Sequence, residues 1–313
     1  MTVRQNESNN PLRLDRGEAV FFAREVEHVK RRAYDMKLRE LKAYTLIPIS
    51  HDAGPGVTEI TFRRYKGVGF ARVIADYAKD FPRVDVYGVE DTVRVKGLGV
   101  SYGYNIKEIR MSARAGKALD QRRAATARRA HAELSNKLAL ISNPATGTRG
   151  LIDYPGITET TIPADGTGGS TSWVTKTDDQ IARDIDILFD AVILSTYNRE
   201  NPDTLLLPLE NYRILANKRL SGTDTTLLKF IQDNKPWIRK IDWLHELSGA
   251  GAGKTNRAMV GSFDEEHITF EIPQPFEQFD AQQDGMEFTI PCHSECAGTI
   301  IYYPMAFAYA DGL

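Results

Sequence analysis

The chain has 313 residues, more than one ordinary hydrophobic core supports, so two separately packed regions or one core with large extensions are expected. Hydrophobic residues make up 42%, charged residues 26% and aromatics 9%, which excludes a disordered chain, a collagen-like chain and a small disulfide scaffold. Lys and Arg number 40 against 42 Asp and Glu, a net charge of −2, so no overall field draws nucleic acid to the protein.

Residues 1–17 are polar and read as an arm. From Glu18 to Tyr44 the apolar residues Phe22, Val26, Val29, Ala33 and Met36 recur at steps of three and four, which predicts an amphipathic helix. Pro48 and the run Asp52–Gly56 end it. Residues 57–74 then alternate as a half-exposed strand does, and 93–104 do the same, with Ala75–Asp91 as a polar excursion between them. Two long two-faced strands predict an extended hairpin. Alone such a hairpin is marginal in water, and this stretch offers no second layer of its own, so a neighbour is expected to complete it.

A helix is predicted from Ile106 to Ile141, with Ala127, Ala130, Leu134, Leu138 and Ile141 as a stripe of small and apolar residues. Residues 107–137 carry nine Lys or Arg against three acidic residues, a local excess of +6. Within them Arg122, Arg123, Arg128 and Arg129 form two pairs. These are either a solvated surface or a face for non-specific contact with nucleic-acid phosphates. A turn-rich segment follows. Thr177-Asp-Asp-Gln180 is a capping box opening a helix buried through Ile181, Ile185, Leu188 and Val192. Thr204–Leu207 reads as a short buried strand, and Pro208 suits the start of a helix through Lys218. Strands are predicted again near 256–263, 268–272, 287–291 and 299–303. Asp264–Glu287 holds eight acidic residues and no Lys or Arg, so charge is segregated between the two halves.

Three patterns invite a chemical reading. Ser248–Thr255 (SGAGAGKT) approaches a phosphate-binding loop, but the first position is Ser and a strand rather than a helix should follow, so its N–H groups would not converge on phosphate. Cys292, His293 and Cys296 offer three zinc-ligand types, yet neighbouring strand residues face opposite ways and no second pair is close. On a strand the two thiols stand roughly 13 Å apart, too far for a disulfide, which fits a reducing compartment. The first twenty residues lack the apolar stretch of a signal peptide, and no run approaches the ~18 apolar residues of a membrane span, so cytosolic synthesis is expected. No catalytic residue, metal or cofactor is expected.

The order of these features resembles tailed-bacteriophage major capsid proteins of the Hong Kong 97-type fold. The resemblance runs through FFARE (21–25), YTLIPIS (44–50), AGPG (53–56), SYGYNIKEI (101–109), RRAA (122–125), TLLLP (204–208), WLHELSGAGAG (243–253) and PMAFAYADG (304–312), and so covers nearly the whole chain. It implies an α+β fold: an N-arm and N-terminal helix in 1–45, an E-loop hairpin in 46–105, and a P-domain with a spine helix in 106–160. An α/β A-domain in 161–270 follows, then a P-domain loop and C-terminal strands shared between the two domains in 271–313. It implies a structural head protein assembling into pentamers and hexamers as an icosahedral shell around double-stranded DNA, with virion location and assembly in the bacterial host cytoplasm. Arg63, Arg64, Lys66, Arg72, Lys79, Phe81 and Arg83 would be E-loop contacts between subunits, and Arg122, Arg123, Arg128 and Arg129 would lie near the packaged DNA. Partners would be the chain itself, DNA, a separate scaffolding protein, a portal and a decoration protein, with no membrane. Some members crosslink an E-loop lysine, here Lys66 or Lys79, to an asparagine of the P-domain loop. Ala281–Gly285 lacks that asparagine, so no crosslink is expected. An encapsulin-like compartment shell is the alternative with the same fold, and a nucleotide-binding protein using Ser248–Thr255 the alternative of another class.

Overall fold

The computed structural model describes residues 38–73, 82–116 and 121–313. The expected helix Glu18–Tyr44 lies mostly outside them. Of its described part, residues 38–42 are not helical, and a four-residue helix α1 occupies Ala43–Leu46. Leu41–Leu313 forms one compact unit, which holds every element named below.

In chain order come β1 (Ile49–Ser50), β2 (Glu59–Val68), β3 (Asp85–Arg94), β4 (Lys96–Asn105), α2 (Ile106–Ala115) and α3 (Arg122–Leu140). Next are β5 (Thr158–Thr161), α4 (Asp178–Ser195), β6 (Thr204–Leu207), α5 (Leu209–Asn217), α6 (Leu227–Asn234) and β7 (Lys240–Trp243). The chain finishes with β8 (Arg257–Gly261), β9 (Ile268–Glu271), β10 (Gln274–Gln278), β11 (Gln282–Asp284), β12 (Glu287–Cys296), β13 (Gly298–Ile301) and β14 (Phe307–Asp311).

A five-stranded mixed sheet, ordered β5-β14-β8-β6-β7, is covered on both faces. Strand alternation explains how one sheet serves two cores. Leu206, Met259, Phe307 and Tyr309 enter one cluster with Leu140, Leu151, Phe270 and Ile301. Their neighbours Leu205, Leu207, Ala258, Val260, Ala308 and Ala310 enter the other, under α4, α5 and α6. The capping box forms as predicted: the Thr177 hydroxyl accepts from the Gln180 N–H, and the Gln180 side chain accepts from Thr177. Below it, Lys176 is fully buried with Asp184, Nζ to Oδ2 2.6 Å, and Trp173 Nε1 donates to the same carboxylate at 3.1 Å. Such a pair persists because its remaining hydrogen-bonding capacity is used. Lys176 also donates to the Pro163 carbonyl at 2.7 Å.

Three expectations need correction. The predicted strand 93–104 is two strands. The hairpin partner of β2 is β3, most of which falls in the supposed polar excursion, while β4 leaves to pair along ten residues with β12. So β4, within the span expected as E-loop, belongs to the β10-β12-β11 sheet. Alternation misled here because β3 is exposed on both faces from Asp85 to Glu90 and buries only Val93 at its base, so most of the strand needs no apolar face.

The predicted helix 106–141 is likewise two. Gly116 adopts φ 60° and ends α2 with its N–H on the Ala113 carbonyl, a left-handed cap that favours glycine. Fifteen residues of straight helix span about 22 Å, yet Arg123 meets Glu108 at 2.8 Å, so α2 and α3 do not share one helix axis. The third correction is the buried stripe of α3. Ala127 and Leu138 are buried, but Ala130, Leu134 and Ile141 are exposed, and His131, Ser135 and Asn136 take the inward face. Two of these are tied to distant parts of the chain: Asn136 Oδ1 accepts from Ala43 N at 2.9 Å and His131 Nδ1 meets Ser294 Oγ at 2.8 Å, while His131 Nε2 is buried without a hydrogen-bond partner among the described residues. An apolar template cannot register a face built this way.

Candidate assembly surfaces

The hairpin has an anchored root and a bare tip. At the root, Val93 is buried against Ala297 and Ile300, with Ile60, Phe62, Val95 and Tyr302 packed around them. The Phe62 and Tyr302 rings meet edge-on with centroids 5.3 Å apart. Asp91 of β3 takes a two-pronged contact from Arg149, at 2.8 and 3.1 Å, which ties the hairpin to the body and holds the carboxyl below its ordinary value. Arg64 lies 3.9 Å from the same carboxylate and donates to the Tyr302 carbonyl. A cleft of about 460 Å³ opens here between Arg64, Asp91, Arg149, Tyr154, Pro304 and Met305. The root therefore has a second layer from its own chain, which corrects the expectation that it would have none.

Cross-strand pairs hold the ladder: Arg94 with Glu59 at 3.5 Å and the Thr61 and Thr92 hydroxyls at 2.9 Å within the root, and Arg63 with Glu90 at 2.7 Å just beyond it. Directly opposed residues share a face. Tyr65 lies across Gly88 beside Val86 on one face, and Val68, Tyr87 and Val89 lie on the other. All are exposed, Tyr65 by 68% and Val86 by 65%, and Phe70, Val73 and Val84 extend the apolar surface. Lys66, Arg72 and Arg83 are exposed around it. Of the contact residues expected from the sequence, Arg63 and Arg64 serve the hairpin itself, while Lys79 and Phe81 lie outside the described residues.

The four arginines of α3 are partly engaged within the chain. Arg123 forks onto Glu108, reaches the Gly103 carbonyl and lies 4.9 Å over the Tyr104 ring. This contact holds the Glu108 carboxyl below its ordinary value. Arg128 lies 5.4 Å over Phe276, and Arg129 pairs with Glu133 one turn on at 2.7 Å. Arg122 is exposed.

The glycine loop carries an anion of its own. Ala252 N donates to Asp311 Oδ2 at 2.9 Å, and a Cβ on Gly251 would sit 2.9 Å from that carboxylate. Arg257 completes the arrangement with 2.7 and 2.9 Å contacts to Asp311. Burial pushes this carboxyl up, and Arg257 and the Ala252 N–H outweigh it, leaving it below its ordinary value. The loop runs into β8 rather than a helix, so its N–H groups do not converge on a phosphate. Cys292 and Cys296 are buried free thiols, and burial pushes Cys296 up to about 11. Among the described residues no group of His, Cys, Asp or Glu is arranged to hold a metal, and no helix is long and apolar enough to cross a membrane.

The Asp91–Arg149, Arg257–Asp311 and Lys176–Asp184 pairs were missed in the sequence. The first two join residues 58 and 54 apart, for which no local spacing exists. The third left a trace, a charged residue inside the apolar face that opens α4.

The family described as Major capsid protein matches residues 69–313. Among solved structures, the capsid of Myoviridae phage XM1 is similar with a TM-score of 0.78 at 19% identity, covering 95% of this chain and 100% of that one. The capsid of a native GTA particle gives 0.64 at 9% identity, covering 95% and 99%. A virus-like particle from Pyrococcus furiosus gives 0.54 at 12% identity, covering 86% and 91%. No curated protein sequence matches.

Proposed function

Because the chain belongs to the major capsid protein family, and is thus a structural subunit of a phage head that associates with copies of itself, we propose that it does so as pentamers and hexamers in an icosahedral shell around double-stranded DNA. The observation that carries this reading is the hairpin tip. Apolar side chains on both faces of β2 and β3 have no cover among the described residues, and exposed strand edges of this kind otherwise invite aggregation. A neighbouring subunit that takes the tip across its surface removes the liability, and repetition of the contact around a closing rotation makes rings. Lys66, Arg72 and Arg83 would then lie in that contact as E-loop residues. The span 46–94 acts as the E-loop, 106–160 as the P-domain, 161–270 as the A-domain, and β10–β12 as the P-domain loop.

The +6 excess of 107–137, to which α3 contributes five basic residues against Glu133, supports a DNA-facing role for α2 and α3 together through their summed field. Assembly would take place in the host cytoplasm with a separate scaffolding protein, a portal and a decoration protein. Expression of the chain, alone and with its scaffold, followed by negative-stain electron microscopy and light-scattering mass, tests the reading. Closed shells or rings of five and six are expected, and a monomer under every condition overturns it. Arg122→Glu should lower DNA retained in filled heads without changing shell yield.

A further inference from the structure

Outside the hairpin, exposed apolar side chains mark both ends of α4. At the C-terminal end the Thr196 N–H closes on Val192 O at 3.0 Å, and Tyr197 and Asn198 then both adopt left-handed backbone, φ 54° and 61°. Two such residues in succession, neither a glycine, need support from outside the turn. Asn198 N donates to Ile193 O at 2.8 Å, Glu200 N reaches Thr196 Oγ1, and the Glu200 carboxylate is pinned by His267 Nε2 at 2.8 Å. The result of this scaffolding is a tyrosine held 86% exposed beside Leu194, itself 74% exposed. Asp190 is exposed one turn back, where the last turn of the helix holds no basic residue, and Arg199 is exposed beyond Tyr197, so the anionic side of this knob is the α4 side, at Asp190.

At the N-terminal end the chemistry is complementary. Trp173, Val174, Arg213, Ile214, Asn217 and Lys218 line a groove of about 390 Å³, and Val174 is 78% exposed. Lys218 is paired with Asp178 at 3.2 Å. Arg213 is exposed, with no hydrogen bond or ion pair among the described residues.

An 18-residue helix is about 27 Å long, so knob and groove within one chain cannot meet. Complementary patches at opposite ends are the geometry of a head-to-tail contact, which makes a ring where the rotation between copies closes. We propose that the Leu194–Tyr197 knob of one copy docks in the Val174–Ile214 groove of the next, with Asp190 facing Arg213. The inference rests on the capsid reading for the presence of a second copy, and goes beyond it by naming the two surfaces that mate.

Tyr197→Glu and Val174→Glu change exposed side chains, so circular dichroism and melting should match the wild type. Each should lower the assembled fraction, read by light scattering and electron microscopy at equal concentration, by roughly ten-fold or more, as loss of a central contact does. Asp190→Arg and Arg213→Asp should each lower it too, and the two combined should restore it to within about two-fold of the wild type. Three results overturn the proposal: both glutamate variants assembling within about two-fold of the wild type, only one of them impaired, or a charge-swapped double variant no better than its singles. If the wild type assembles and the variants do not differ, the inference alone fails. If the wild type never assembles, the capsid reading fails and takes the inference with it.

Discussion

In the five-stranded sheet, β14 hides Phe307 and Tyr309 under one layer and Ala308 and Ala310 under the other. In the distal hairpin, Tyr65 and Val86 on one face and Val68, Tyr87 and Val89 on the other are all left exposed, with no layer packed over them among the described residues. Both are β structure with apolar residues on two faces, and they differ only in where the second and third layers come from. The sheet draws them from α4, α5, α6 and the body of its own chain, so its stability is a property of the subunit. The hairpin has own-chain layers at its root alone, so the stability of its tip belongs to an assembly. One polypeptide thus divides its apolar surface between folding and association.

The sharpest way to break the self-sufficient half is to orphan its buried charge. Asp184→Ala leaves Lys176 without its main partner in a fully buried site and should cost about 3–5 kcal/mol, measured by chemical denaturation of dissociated subunits. The hairpin should be untouched in those subunits by hydrogen exchange below the global transition.

A smaller effect should appear at the root. Asp91→Ala removes the Arg149 contact, in which both side chains are about 30% exposed, and should cost about 1 kcal/mol. Amide exchange should quicken in residues 59–68 and 85–94 and stay constant in β6, β8 and β14. Equal acceleration everywhere would erase the distinction between the two regions.

His267 tests the sheet half through pH. Burial lowers its pKa, but hydrogen bonds to Asp264 and Glu200 outweigh this and raise it above the ordinary 6.5. The stabilisation is therefore complete below the unfolded value and fades as pH rises through the raised one. Between about pH 6 and about pH 9 the wild type should lose melting temperature relative to His267→Gln, and an NMR titration of the imidazole should give a midpoint above 6.5. The smallest effect belongs to the ladder. Arg63→Ala breaks a pair in which both side chains are more than half exposed and should cost only a few tenths of a kcal/mol.

Much of this comparison was legible in the sequence. The two-faced strand 57–74, the capping box at Thr177, the buried strand Thr204–Leu207 and the strand after the glycine loop all left local patterns, because each is decided by neighbours two to four residues away. β3 left none over residues 85–90, since a stretch with no buried face has no alternation to keep. The break at Gly116 was visible only as one glycine in a long polar helix pattern. The polar inward face of α3 depends on Ala43 and Ser294, residues far off in the chain, and the tyrosine knob depends on His267 from the turn before β9. The family resemblance supplied the order of parts but could not say which carboxylate holds which arginine.

Between Arg94, the last residue of β3, and Lys96, the first of β4, stands Val95 alone, its N–H on the Thr58 carbonyl at 2.9 Å. The hairpin is therefore a lever whose fulcrum is the Asp91–Arg149 contact and whose inner arm is the ten-residue ladder of β4 with β12. A load on the tip, about 20 Å out along β2, passes through a single residue into hydrogen bonds pulled along the strand direction, where they resist together rather than one at a time. A neighbour leaning on the tip would tug on the floor of α3, with no loop between them to absorb the motion.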